Sequence, residues 1–172
     1  PSIKISNGPS IDGAIITGLT NSTSVSKHRS NIPAHKLVTT LTRVSTPFGY
    51  VTSMSRDGLY YAGSTGLDGS IVCGTVVIIN SSTNAEVVLN PPSGTFDRTM
   101  FGSSIHLNDD GSRIYIGEPG VNSVHIYVRQ TNGVWILEST IVGPEKNAMF
   151  GSAIDVAVDS VIVIGSKASN SN

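Results

Sequence analysis

Hydrophobic and polar residues alternate along this chain in short segments with a period near two. Ser104-Ile105-His106-Leu107 is followed by Arg113-Ile114-Tyr115-Ile116, Val124-His125-Ile126-Tyr127-Val128 and Trp135-Ile136-Leu137-Glu138-Ser139-Thr140-Ile141. Between them stand Asp110-Gly111, Glu118-Pro119-Gly120 and Thr131-Asn132-Gly133. Alternation of this kind, rich in β-branched and aromatic residues, predicts strands. Asp-Gly supplies the positive φ angles of a tight hairpin turn. Four consecutive antiparallel strands are the expectation.

The same series occurs earlier, with Arg56-Asp57-Gly58 as first turn, then Leu59-Tyr60-Tyr61, Thr75-Val76-Val77-Ile78-Ile79 and Ala85-Glu86-Val87-Val88-Leu89. A third series stops after Ser160-Val161-Ile162-Val163-Ile164. Each opens on the same dipeptide: Phe48-Gly49, Phe101-Gly102 and Phe150-Gly151, spaced by 53 and 49 residues. A second glycine follows 14 or 15 residues after the first, at Gly63, Gly117 and Gly165. Four strands per ~50 residues is the size of a β-propeller blade. One such sheet has two apolar faces and can cover neither alone, whereas radial stacking covers both. The fold class expected is therefore all-β, with antiparallel four-stranded blades of a partial propeller. The phenylalanines are expected to pack between blades and the glycines to allow close backbone approach.

These repeats resemble the FG-GAP family, the blade motif of integrin α-subunit propellers and of many bacterial and viral surface proteins. The resemblance covers residues 48–172. Its second hallmark, Gly-Ala-Pro, stands here as Gly117-Glu118-Pro119, and in weaker form as Ala62-Gly63-Ser64 and Ile164-Gly165-Ser166. Calcium-binding members carry Asp-x-Asp-x-Asp-Gly between the first two strands. The matching loops here are Ser55-Arg56-Asp57-Gly58, Asn108-Asp109-Asp110-Gly111 and Val158-Asp159-Ser160. Only Asn108, Asp109 and Asp110 offer candidate ligands, in a loop too short to encircle an ion that wants 6–8 oxygens. A hairpin turn without metal is the expectation there.

Residues 48–172 amount to about two and a half blades, and closed propellers have ~4–8. Three arrangements stay open: a longer protein with further blades, several copies completing one propeller, or a sandwich. The chain ends where a third strand is due, so the first is favoured.

Residues 1–47 differ in character. Lys4, Lys27, Arg29, Lys36 and Arg43 stand against Asp12 alone, a net +4 within a chain whose total is −1. Apolar patches there are short and no helical period persists. An extended arm without a core of its own is expected, anchored on a partner through Ile3, Ile5, Ile15, Ile16, Lys27, Arg29 and Leu37; a flexible terminus is the alternative. The domain division is thus 1–47 and 48–172.

Charged residues make up only 13% of the 172, and 18 are glycine. The net charge excludes a strongly basic nucleic-acid binder, and no apolar run is long enough for a membrane helix. One cysteine, Cys73, excludes an internal disulfide and a cysteine-rich zinc site. No nucleophile elbow or phosphate-cradling glycine loop occurs. His106 and His125 read as strand residues, not a metal pair. Tyr60, Tyr61, Tyr115, Tyr127 and Trp135 read as packing between blades before they read as a sugar-binding surface. No cofactor is expected. The function expected is non-enzymatic: a structural or attachment protein of a virus particle, such as a phage tail or fibre component. Its arm docks to other structural proteins, and its oligomeric body projects toward a host receptor or glycan. The alternative is a secreted or cell-surface adhesion module that binds carbohydrate or protein.

Overall fold

The structure is a computed structural model. It describes the backbone of Ala14–Gly18, Ser24–Arg29 and Lys36–Thr42 and, with side chains, residues 48–65, 74–92, 94, 98–157 and 161–167. Every regular element among them is a β-strand apart from one 3₁₀ turn, Pro119–Val121. β1 (Ala14–Gly18), β2 (Ser24–Arg29) and β3 (Lys36–Thr42) form a leading sheet. Blade one is β4 (Phe48–Met54), β5 (Tyr60–Thr65), β6 (Val76–Asn80) and β7 (Glu86–Leu89). Blade two is β8 (Ser104–Leu107), β9 (Arg113–Glu118), β10 (Ser123–Arg129) and β11 (Trp135–Val142). Blade three has β12 (Phe150–Val156) and β13 (Ile162–Ser166). Each sheet is an antiparallel meander in chain order. Their first strands lie side by side, β1 beside β4, β4 beside β8 and β8 beside β12. This is the blade arrangement of a β-propeller.

The expected arm is extended where it is described, but it is paired. Ile15 stands opposite His28, Ile16 opposite Lys27, Arg29 opposite Lys36 and His28 opposite Leu37. Its apolar patches are too short for a separate core, but a strand needs only backbone partners, and these strands find them in one another. Ile3 and Ile5 lie outside the described residues, as does Cys73.

The core sits between blades. Ala62, Val76, Ile78 and Leu89 of blade one meet Ile105, Leu107, Ile114, Ile116, Tyr127 and Trp135 of blade two, with Phe101 among them. Phe48, Tyr61, Val77 and Ile79 cluster separately. Successive residues of β6 thus face opposite sides, and all four aliphatics are buried. Fully burying each contributes about 1.5–3 kcal/mol. Tyr61, Tyr115, Tyr127 and Trp135 are buried, as packing between blades requires. Tyr60 lies under the Arg129 guanidinium, 4.5 Å from the ring centre.

The Phe-Gly dipeptide sits at an irregularity in the pairing of the first two strands. In blade three the register slips between Phe150 and Ala153, and in blade one between Phe48 and Thr52. A bulge of this type needs a residue at positive φ. Gly102 is at φ +85 and Gly151 at +93. A Cβ on Gly102 would lie 3.0 Å from Ser64 Cβ and from Val76 Cγ2 of the preceding blade. The aromatic ring fills the core while the glycine lets the backbone close on the neighbouring sheet.

The second glycine is less regular than the sequence spacing implies. The first turns of blades one and two are closed alike, by Ser55 N–H to Tyr60 O and by Asn108 N–H to Arg113 O. Counted from them, the strand position of Gly117 is held in blade one by Ser64, not by Gly63. Val124 faces Gly117 and Val76 faces Ser64, in agreement. Gly63 lies under the Phe48 ring instead.

Gly102→Ala is expected to cost more than Gly133→Ala, which is also at positive φ (+85) but has open space around its Cβ position. Both incur left-handed strain of about 1–2 kcal/mol, and only Gly102 adds overpacking of about 1–3 kcal/mol. Equilibrium urea unfolding of the two variants measures this, and equal losses would contradict it.

Candidate functional site

The chemistry-bearing side chains fall into three groups: the inner strands, the turns, and one row across blade two that is buried at Glu118 and His125 and exposed at Thr140. Counted from their Phe-Gly pairs, Ser53, His106 and Asp155 occupy the same position on β4, β8 and β12. Each reaches across a junction. Ser53 Oγ accepts the Leu107 N–H at 2.8 Å. His106 Nδ1 lies 3.6 Å from Asp155 Oδ1, and its ring meets Tyr115 edge-on at 6.2 Å. Burial pushes the His106 pKa below its usual value, and the charges of Asp155 and Asp109 pull it partly back. Burial also raises Tyr115.

Every candidate ligand in the acidic turn is otherwise engaged. Asn108 Oδ1 accepts the Arg113 N–H at 2.8 Å, and its amide donates to Ser112 Oγ at 3.1 Å. Asp110 Oδ1 accepts the Ser112 N–H at 2.8 Å, and bonds from Ser112 hold its carboxyl below the ordinary range. Asp109 pairs with Arg56 at 3.2 Å, while Arg56 N–H donates to Asp109 O at 2.8 Å. Blade one's first turn is thereby fastened to blade two's. Among the described residues, no three His, Cys, Asp or Glu side chains come together as metal ligands.

The third group was not singled out in the sequence. Glu118 is wholly buried, and its Oε2 lies 2.7 Å from His125 Nε2. His125 Nδ1 lies 2.9 Å from Thr140 Oγ1. Hydrogen bonds thus engage both ring nitrogens, Nε2 with the Glu118 carboxyl and Nδ1 with the Thr140 hydroxyl. Thr140 and His125 are direct cross-strand neighbours, and Ile116, two residues before Glu118, faces His125 on the other side. The row therefore crosses β9, β10 and β11. Phe101 lies against the imidazole, with ring centres 5.9 Å apart. Glu118 Oε1 has no partner, nor does Thr99 Oγ1. Burial, with the Glu118 charge second, pushes the nearby Tyr127 up to about 12. The legible signal was Glu118 itself, an acid between Gly117 and Pro119.

His106 and His125 lie on opposite faces of blade two: His106 pairs with Tyr115 and His125 with Ile116, successive residues of β9. They cannot share a metal. Of the residues expected to anchor the arm, Ile15, Ile16, Lys27, Arg29 and Leu37 fall on the paired strands of the leading sheet. The blade-defining residues are brought together at the junctions, Gly117 with Gly151 and Ser104 Oγ donating to Gly151 O at 2.7 Å. Gly49, at φ +90, repeats this backbone.

No family model and no curated protein matches the chain. Its fold resembles that of a protein from Lactobacillus plantarum, with a TM-score of 0.57 and 13% identity over 93% of this chain and 48% of that one. It also resembles Kuenenia stuttgartiensis hydrazine synthase, with a TM-score of 0.55 and 13% identity over 89% of this chain and 55% of that one. The chain spans about half the length of each. At this identity the likeness establishes the fold, a nearly all-β propeller-type architecture.

Two predictions follow from the charged groups. His125→Ala leaves the Glu118 carboxylate buried without its partner and is expected to cost about 3–5 kcal/mol. Arg56→Ala, in an exposed pair, is expected to cost no more than about 1 kcal/mol; comparable losses in thermal unfolding would contradict the contrast. For His106 the folded pKa is lowered, so the unfolded chain binds the proton more readily. Its contribution is present above the unfolded value of about 6.5 and declines as pH falls toward the folded value. A histidine NMR titration should give a midpoint below that of a free imidazole, and Asp155→Asn should lower it further. A midpoint unmoved by Asp155→Asn would contradict the assignment.

Proposed function

We propose that the protein is a non-enzymatic structural or attachment module that works by holding other macromolecules on its surface. The observation carrying this reading is the use made of its polar groups. Arg56 and Asp109, Ser53 and Leu107, Ser104 and Gly151 tie blade to blade. Arg113 and Glu138 form a two-point ion pair across blade two, at 2.8 and 3.0 Å. Glu118, His125 and Thr140 tie its outer three strands. This chemistry serves assembly of the sheets.

The setting we favour is a virus particle. The basic residues 1–47 suit an anchor on an acidic partner, and the low-charge Ser, Thr and Asn content of the rest suits an exposed body. Host receptors or glycans are then candidate ligands. An adhesion module at a cell surface is the second reading, supported by the same surface.

A particle assembled from the chain lacking residues 1–47 is the test. Quantitative mass spectrometry of purified particles is expected to find the shortened chain reduced at least tenfold relative to the intact one. Incorporation at an unchanged level would contradict the anchoring role.

A further inference from the structure

Among the described residues, the buried side-chain polar atoms without a hydrogen-bond partner are Thr99 Oγ1, Ser103 Oγ and Glu118 Oε1. All three belong to one corner of blade two, where the segment entering β8 runs antiparallel to the end of β9. Two backbone bonds join these segments, Gly102 N–H to Gly117 O and Gly120 N–H to Thr99 O, both at 2.9 Å. Glu118 lies between the two bonds, and Phe101 stands beside its partner His125. Buried polar groups are almost always paired, so three orphans in one corner need a physical reason.

Blade three repeats the corner with its hydroxyls satisfied. Its backbone takes the same path, with positive φ at Asn147, Met149 and Gly151 as at Arg98, Met100 and Gly102. Register matches Ser166 to Glu118: Ala153 pairs with Gly165 as Ser104 does with Gly117, and Ser166 follows, opposite Phe150. Ser166 Oγ donates to Ala148 O at 2.7 Å, and Ser152 Oγ donates to Met149 O. Ala148 holds the Thr99 position and Ser152 the Ser103 position. A side chain at the Glu118 position thus meets the residue at the Thr99 position. In blade two the matching carbonyls are engaged by backbone donors, Thr99 O by Gly120 N–H and Met100 O by Ser103 N–H at 3.1 Å.

We propose that this corner of blade two is a binding site for one internal water molecule, which bridges Glu118 Oε1, Thr99 Oγ1 and Ser103 Oγ. The number of partners fits, since a buried water makes about three hydrogen bonds to polar groups that the protein leaves unpaired. The donors balance as well. The water donates one proton to the Glu118 carboxyl oxygen, and each hydroxyl either accepts its second proton or donates to its oxygen. None of the three atoms bonds to another, which is the spacing a bridging water serves. A metal ion fits less well. A hard cation such as calcium wants about 6–8 oxygens, and the carbonyls of Thr99, Met100 and Gly117 already accept N–H groups. With the water bound, the polar row runs from exposed Thr140 through His125 and Glu118 to the segment that carries Phe101 and Gly102. This site is separate from the binding-module reading and stands or falls without it.

A high-resolution crystal structure of the chain is the direct test. It is expected to show one water within hydrogen-bond distance of Glu118 Oε1 and of at least one of the two hydroxyls. In solution, oxygen-17 relaxation dispersion of the solvent counts long-lived internal waters. Thr99→Val combined with Ser103→Ala should lower that count by one, whereas Thr140→Val, at an exposed position, should leave it unchanged. If the double variant does not fold, the crystal structure of the unsubstituted chain decides alone. Density that shows the three oxygens bonded to protein groups, with no water between them, overturns the proposal, and so does a count that the folded double variant leaves unchanged. An unfolding temperature that drops on EDTA treatment and is restored by calcium chloride, but not by sodium chloride at equal ionic strength, would assign the site to a cation and overturn the water. None of these outcomes bears on particle incorporation, so the two readings fall separately.

Discussion

Everything in this molecule follows from one constraint: a small antiparallel sheet that is apolar on both faces must be covered on both. Strand β6 shows it most plainly, with Val76 and Ile78 turned to one side, Val77 and Ile79 to the other, and none exposed. No single blade can meet that demand, so the blades stack, and the contact between neighbouring faces becomes the unit of stability. The Phe-Gly dipeptide is the local device that permits it. The ring supplies apolar volume to the junction, and the positive-φ glycine removes the side chain that would hold the next backbone away.

Given close sheets, polar groups at the junction must be satisfied by the opposite blade or by their own. That requirement explains Ser53 accepting from Leu107 and Ser104 donating to Gly151. It also explains why the buried Glu118 carboxylate is met by His125, and His125 in turn by Thr140. A buried pair of this sort contributes little over an apolar substitute but is costly to break, because removing one member leaves the other buried without its partner. The unpaired Glu118 Oε1 marks where the satisfaction is incomplete.

Much of the fold was legible because blade architecture is written in short-range signals. Strand β8 runs from Ser104 to Leu107 as its alternation predicts, and the Asn108–Gly111 turn closes where Asp-Gly demands. What escaped was set by contacts distant in sequence. The one-residue offset that puts Ser64, not Gly63, at the Gly117 position arises from pairing to β6, which spacing alone does not reveal. The pairing of β1, β2 and β3 was hidden because alternation there is weak and backbone bonding leaves little trace in side-chain pattern. Glu118 and His125 lie seven residues apart with a turn between them, so their contact depends on a cross-strand diagonal that only the folded register defines.

Hydrogen exchange at the backbone amides of β13 tests the central claim that each blade face is held by its neighbour. The β5 and β9 amides, flanked by strands on both sides and covered on both faces, should exchange slowly in the isolated chain. Those of Ile162–Ser166, paired on one side only among the described strands, should exchange at least a hundredfold faster there. Equal protection of β5, β9 and β13 in the isolated chain would contradict the account.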